Sequence, residues 1–128
     1  MVGVEIRIVD WARYSEGLSS LRHAVFVEEQ GVPVELELDG EDATAWHAAA
    51  FSDDGKLIGT GRMLESGKIG RMAVSQSMRG QGIGRGLLDA LVAEARRLKF
   101  EEVSLGAQLA AVAFYEQAGF MAYGDVFL

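Results

Sequence analysis

Lys68-Ile69-Gly70-Arg71-Met72-Ala73-Val74, running into Arg79-Gly80-Gln81-Gly82-Ile83-Gly84 and then a helix, is the stretch that decides the fold. An apolar-rich run of strand length is followed by a glycine-dense turn. Beyond the turn, Ile83, Leu87, Leu88, Leu91, Val92, Ala95 and Leu98 recur on one face of an amphipathic helix. Asp89 and Glu94 precede Arg96, Arg97 and Lys99, a charge order that suits the helix dipole. A strand that turns through glycines into a helix presents unpaired backbone N–H groups and a partial positive charge, a place that binds anions and above all phosphates.

Two familiar phosphate motifs fail on spacing. The dinucleotide pattern G-x-G-x-x-G puts Arg85 in its sixth position when started at Gly80, and Leu87 when started at Gly82. The mononucleotide loop ends in Gly-Lys-Ser/Thr, and no lysine lies between Lys68 and Lys99. Arg-x-x-Gly-x-Gly does fit, as Arg79, Gly82 and Gly84. In this the chain resembles the GNAT superfamily of acyl-CoA-dependent N-acyltransferases, whose Gln/Arg-x-x-Gly-x-Gly/Ala signature after the fourth strand holds the pyrophosphate of coenzyme A. A second segment, Phe114-Tyr115-Glu116-Gln117-Ala118-Gly119-Phe120, resembles the family's Phe-Tyr-x-x-x-Gly-Phe helix ending. Gly119 and Phe120 are also explained as a helix C-cap and its packing contact, whereas the tyrosine is not. Arg22 to Gln30, then Glu37 and Asp39 to Asp42, then His47, resemble one small single-domain branch of the superfamily with a V-F-V-x-E-Q helix end, an acidic loop and a histidine on the second strand. The likeness covers nearly the whole chain.

Composition bounds the remaining classes. The chain has 128 residues, 49% hydrophobic, with no cysteine, two histidines and a net charge of −7. That length suits one domain, residues 1–128. Without cysteine there is no disulfide framework and no thiol nucleophile, and two histidines are too few for the usual zinc patterns. The acidic balance argues against a nucleic-acid partner. No apolar run reaches the roughly 20 residues of a membrane span, and no signal peptide opens the chain, so a cytoplasmic setting is expected. From Arg62 to Leu88 the bases Arg62, Lys68, Arg71, Arg79 and Arg85 face the single acid Glu65, a basic wall for a polyanion. From Glu28 to Asp42 there are seven acids and no lysine or arginine: either a solvated loop or a field that favours cationic acceptors.

The rest of the chain reads as a mixed α/β domain, with helices on both faces of a mostly antiparallel sheet of about six strands. Val4 to Val9 alternates as a strand. A helix capped by Asp10 or Ser15 runs to about Gln30, before Gly31 and Pro33. Ala45 to Phe51 and Lys56 to Leu64 form a hairpin through Ser52-Asp53-Asp54-Gly55, with Gly59 and Gly61 marking bends or close backbone approach. Val103 to Ala107 is a fifth strand, Ala110 to Ala118 a helix and Met121 to Leu128 a last strand.

The resemblance implies that the fourth and fifth strands splay apart and hold the pantetheine of acetyl-CoA. It implies backbone contacts at Met72, Ala73 and Val74, and phosphate contacts along Arg79, Gly80, Gln81, Gly82, Gly84 and Arg85. Phe114 packs beside the cofactor, and Gln108 either bonds the pantetheine amides or caps the next helix. Tyr115 matches the tyrosine that protonates the leaving thiolate. Glu29, Glu37 and His47 are candidate general bases, with His47 equally readable as a packed strand histidine. The expected activity is direct transfer of acetyl to a primary amine of a small molecule or peptide. A non-catalytic acyl-CoA-binding or sensor domain is the alternative. The family also continues past Leu128 into a seventh strand, so residues 121 to 128 are expected either to pair in a homodimer or to loosen.

Overall fold

The computed structural model describes residues 3–33, 40–100 and 102–105. Strand β1 (Glu5–Val9) leads to helix α1 (Trp11–Arg22), which continues as a π-helical segment (His23–Glu29). A 3₁₀ turn (Asp42–Thr44) enters β2 (Trp46–Phe51), and β3 (Leu57–Met63) and β4 (Lys68–Val74) follow. A second 3₁₀ turn (Gln76–Met78), helix α2 (Ile83–Arg97) and β5 (Ser104–Leu105) complete the described chain. The sheet order is β1-β2-β3-β4-β5, antiparallel throughout except for the parallel β4–β5 pair. Five strands stand where about six were expected; the sixth, Met121 to Leu128, and the preceding helix lie outside the described residues.

Helices cover both faces. Ile83, Leu87, Leu88, Leu91 and Ala95 of α2 pack on Ala48, Ala50, Ile58, Met63 and Ile69. On the opposite face Leu18 of α1 packs with Val9, Ala49 and Phe51. The period of two in β2 divides its residues between the layers, Ala48 and Ala50 to one and Ala49 and Phe51 to the other. Small residues let α2 approach closely. A Cβ at Gly61 would lie 2.5 Å from the sulfur of Met72 and 3.1 Å from Cδ1 of Leu91, and one at Gly59 would lie 3.0 Å from Cδ1 of Leu87.

Asp10, not Ser15, caps α1: its Oδ1 accepts from the Ala12 N–H at 3.3 Å. The π winding was not foreseen. In α geometry Glu29 would fall seven residues beyond Arg22, on the buried stripe that Leu18, Arg22 and Val25 occupy. The wider winding, sealed by Gln30 N–H to the Val25 carbonyl at 3.1 Å, carries Glu29 off that stripe, and it ends exposed.

The α1 face holds a buried polar cluster. Asp42, 8% exposed, accepts from Arg22 Nη1 at 2.7 Å and Nη2 at 3.2 Å, and from Arg62 Nη1 at 3.1 Å. His47 is paired opposite Arg62 in the sheet, is 1% exposed, and stacks on Trp11 with ring centroids 4.7 Å apart. Its Nε2–H donates to the Asp42 carbonyl at 2.9 Å, which leaves Nδ1 as the bare acceptor. Among the described residues that nitrogen is buried with no hydrogen-bond partner. Two sequence readings are corrected here. Arg62 is part of no exposed basic wall, and Asp42 belongs neither to a solvated loop nor to a surface field, because each is the other's buried counter-ion.

Two expected outcomes follow from this packing. Gly67 sits at φ +88°, where an added Cβ would lie 2.7 Å from the Glu102 carbonyl oxygen, and its own carbonyl receives the Ser104 N–H at 3.0 Å. Gly67→Ala therefore costs about 1–3 kcal/mol in urea unfolding and loosens β5 from β4. The second concerns acid. Burial pushes the His47 imidazole below its ordinary value of 6.5. Burial works to raise the Asp42 carboxyl, but hydrogen bonds from Arg22 and Arg62 outweigh it and leave it below 3.8. For both groups the unfolded chain takes up the proton first. Their stabilisation is thus fully present above pH 6.5 for His47, is lost as pH falls through its folded value, and declines again below 3.8 through Asp42. Melting temperature should begin to drop as pH falls below about 6.5, and His47→Gln should flatten that upper step.

Candidate active site

The site is assembled where β4 ends. Between Thr60 and Arg62 the β3–β4 register shifts: Thr60 pairs with Ala73 and Arg62 with Gly70, so Gly61 faces both Arg71 and Met72. Arg71 is the inserted residue, at φ +51°. This bulge is why Ile69, Met72 and Val74 all reach the α2 core although an odd number separates the first two. It also brings Ala73 to a buried position, paired with Thr60. On the other side of β4 the recorded pairing with β5 joins only Lys68 to Ser104 and Ile69 to Leu105. Among the described residues, Gly70 to Val74 have no strand partner on that side.

Past β4 the chain is fixed by the Ser75 N–H on the Ile58 carbonyl at 2.9 Å and then turns through Gly80 and Gly82, each at φ +81°. An added Cβ at either glycine would meet nothing within 4 Å. Gly82 is the N-cap of α2 and supplies no side-chain bond, and the first helical bond runs from Gly86 N–H to the Gly82 carbonyl at 3.1 Å. Among the described residues the N–H groups of Ile83, Gly84 and Arg85 therefore have no capping partner, and they form the positive end of a 15-residue helix. Such a turn suits a polyanion.

Arg79 opens the turn. Its Nε–H donates to the Val74 carbonyl at 3.0 Å, while Nη1 and Nη2 donate to the two oxygens of Glu29 at 2.5 and 2.8 Å. That fork holds the Glu29 carboxyl below its usual range and raises the Arg79 guanidinium. Arg85 is paired with Asp89 on the helix surface at 3.1 Å, and Gln81 is exposed.

The structure thus brings together Met72, Ala73, Val74, Arg79, Gly80, Gln81, Gly82, Gly84, Arg85 and Glu29. His47 stands apart, in the cluster beneath Trp11. Tyr115, Gln108, Phe114 and Glu37 lie outside the described residues. The Arg22–Asp42–Arg62 cluster escaped sequence reading, although a signal existed: Arg22 falls on the helix stripe of Leu18 and Val25, and an arginine there demands a buried acid.

Comparison with known proteins adds the lineage. The acetyltransferase (GNAT) domain family matches residues 16–128. The ElaA protein of Escherichia coli is 34% identical over 119 residues, spanning 86% of this chain and 76% of its own. Its crystal structure superposes with a TM-score of 0.80 over 90% of this chain and 85% of that one. The crystal structure of an acyl-CoA N-acyltransferase from Pseudomonas aeruginosa, 33% identical, gives 0.85 over 98% of this chain and 94% of that one. A predicted acetyltransferase of Clostridium acetobutylicum, solved with acetyl-CoA, shares the fold at 20% identity, with a TM-score of 0.73 over 97% of this chain and 94% of that one. By sequence and by fold, this chain belongs to the GNAT acetyltransferase family.

Proposed function

We propose that this protein is an N-acetyltransferase that moves an acetyl group from acetyl-CoA to a primary amine within a ternary complex. The observation that carries the reading is the N-terminus of α2 at the Gly80–Gly84 turn, uncapped among the described residues and set directly beyond the strand segment Gly70–Val74. Family membership and a relative of the same fold solved with acetyl-CoA support it. Bound acetyl-CoA would supply an activated thioester carbonyl for the amine to attack.

The chain's own residues divide the remaining work. The N–H groups of Gly80, Gln81, Gly82, Gly84 and Arg85 hold pyrophosphate oxygens, and hydrogen bonds to such charged groups contribute about 1.5–3 kcal/mol each. The backbone of Met72, Ala73 and Val74 pairs with the pantetheine amides, joined by Gln108, while Phe114 packs against the cofactor. Tyr115 donates its phenolic proton to the departing thiolate, which suits a group neutral at pH 7. Of the two described candidates for handling the ammonium, Glu29 reaches the turn, whereas His47 lies under Trp11 with Nε2 committed to a carbonyl. His47 is accordingly assigned to packing.

Calorimetry with coenzyme A tests the site. Gly84 is the better target, because its φ is not among the positive ones and valine adds no backbone strain. Gly84→Val should weaken binding by about tenfold or more with the melting temperature retained. Unchanged affinity in the folded variant would remove the phosphate from this turn. Release of free thiol with a panel of amines separates transfer from mere binding, and a domain that only binds releases none. Tyr115→Phe should lower turnover with cofactor affinity preserved; an unaltered turnover, with chemistry limiting, returns the tyrosine to packing.

A further inference from the structure

Arg79 stands at the junction of the phosphate turn and the π-helical segment, and three of its five donors are already committed. One holds the Val74 carbonyl and two hold Glu29, fifty residues earlier in the chain. The exposed pairs on α2 are different in kind, since Arg85–Asp89 and Arg97–Glu94 are neighbours on one helix. Arg79–Glu29 instead ties two elements together, and its side chains are 40% and 32% exposed, within reach of an arriving anion. A polyphosphate on the turn would set concentrated negative charge beside Arg79. That charge competes with a single carboxylate for the guanidinium and repels the carboxylate itself.

We propose that Arg79 is a shared residue: Glu29 holds it in the ligand-free protein, the cofactor's phosphate takes it over, and the released Glu29 carboxylate receives the ammonium of the acceptor. This rests on the acetyl-CoA reading above. Arg79 is then a positioning residue for Glu29 as well as a phosphate contact. Acceptors carrying a cationic amine bind to the loaded protein in preference to the empty one, which makes the order of binding cofactor first.

Calorimetric titration of coenzyme A at low ionic strength, on the wild type, Glu29→Gln and Arg79→Gln, tests the sharing. Both positions are on the surface, and melting curves confirm that each variant folds. Glu29→Gln should bind coenzyme A tighter by about two- to fivefold, the scale of an exposed ion pair removed as competitor. Arg79→Gln should bind it more weakly. In steady-state assays Glu29→Gln should raise KM for a cationic amine more than it lowers kcat. Wild-type binding with equal or weaker affinity in Glu29→Gln overturns the sharing alone. An unchanged amine KM overturns the transfer of Glu29 to the acceptor. Failure of the folded wild type to bind coenzyme A overturns the acetyl-CoA reading and the sharing with it.

Discussion

The close approach of α2 to the sheet sets the position of almost everything else. Gly59 and Gly61 leave room on β3, and Gly86 does the same on the helix, where a Cβ would overlap Cδ1 of Ile6. Fixed over β3 and β4, α2 must begin near the end of β4, so its N-terminus emerges beside the last residues of that strand. The bulge at Arg71 belongs to the same constraint. Without an extra residue the side chain of Met72 would leave the α2 face, and the gap above Gly61 would be empty. Core packing and the glycine turn are therefore one structural solution seen from two ends.

Electrostatics reverses the simplest expectation from composition. A basic wall between Arg62 and Leu88 suggested that arginine charge would recruit a polyanion. In the fold Arg62 is spent on Asp42, Arg79 on Glu29 and Arg85 on Asp89. Among the described residues, what the turn mainly offers is backbone: N–H groups held in place by two positive-φ glycines and backed by a helix dipole. Preorganised backbone donors lose no side-chain entropy on binding and are fixed in direction, whereas exposed ion pairs are weak and screened by salt. The proposed recognition at this turn accordingly rests on backbone geometry, with the arginines as adjustable partners.

How much was legible follows the same division between local and non-local signals. The bounds of β4, the hairpin turn at Ser52–Gly55 and the buried face of α2 are written in short-range pattern, and the fold matches them, while the cap of α1 was narrowed only to Asp10 or Ser15. The glycines of β3 announced close approach. The π winding left no such mark, because the apolar spacing of Leu18, Leu21, Val25 and Phe26 fits either winding up to the point where they diverge. The bulge was equally silent: Gly70-Arg71 reads as ordinary alternation until the position of Gly61 across the sheet is known. The pairing of Glu29 with Arg79 joins residues fifty apart, and no spacing rule reaches that far.

The helix that carries Glu29 is held in two unlike ways. At Arg22 it is clamped by a buried bidentate pair with Asp42, reinforced by Arg62. Buried pairs of this kind add little over apolar packing, yet breaking one costs about 3–5 kcal/mol, so Asp42 acts chiefly to fix where α1 lies. Seven residues later the same continuous winding ends at Glu29, where an exposed fork to Arg79 is one that salt or a competing anion can open. Between the two lies π-helical backbone, whose wider turns are a less favourable winding than the α-helix before them. A buried anchor at Arg22 and Val25 and an exposed fork at Glu29 make the Glu29 end of this segment the more responsive of the two to salt or to a competing anion. That end is also the part that meets the turn.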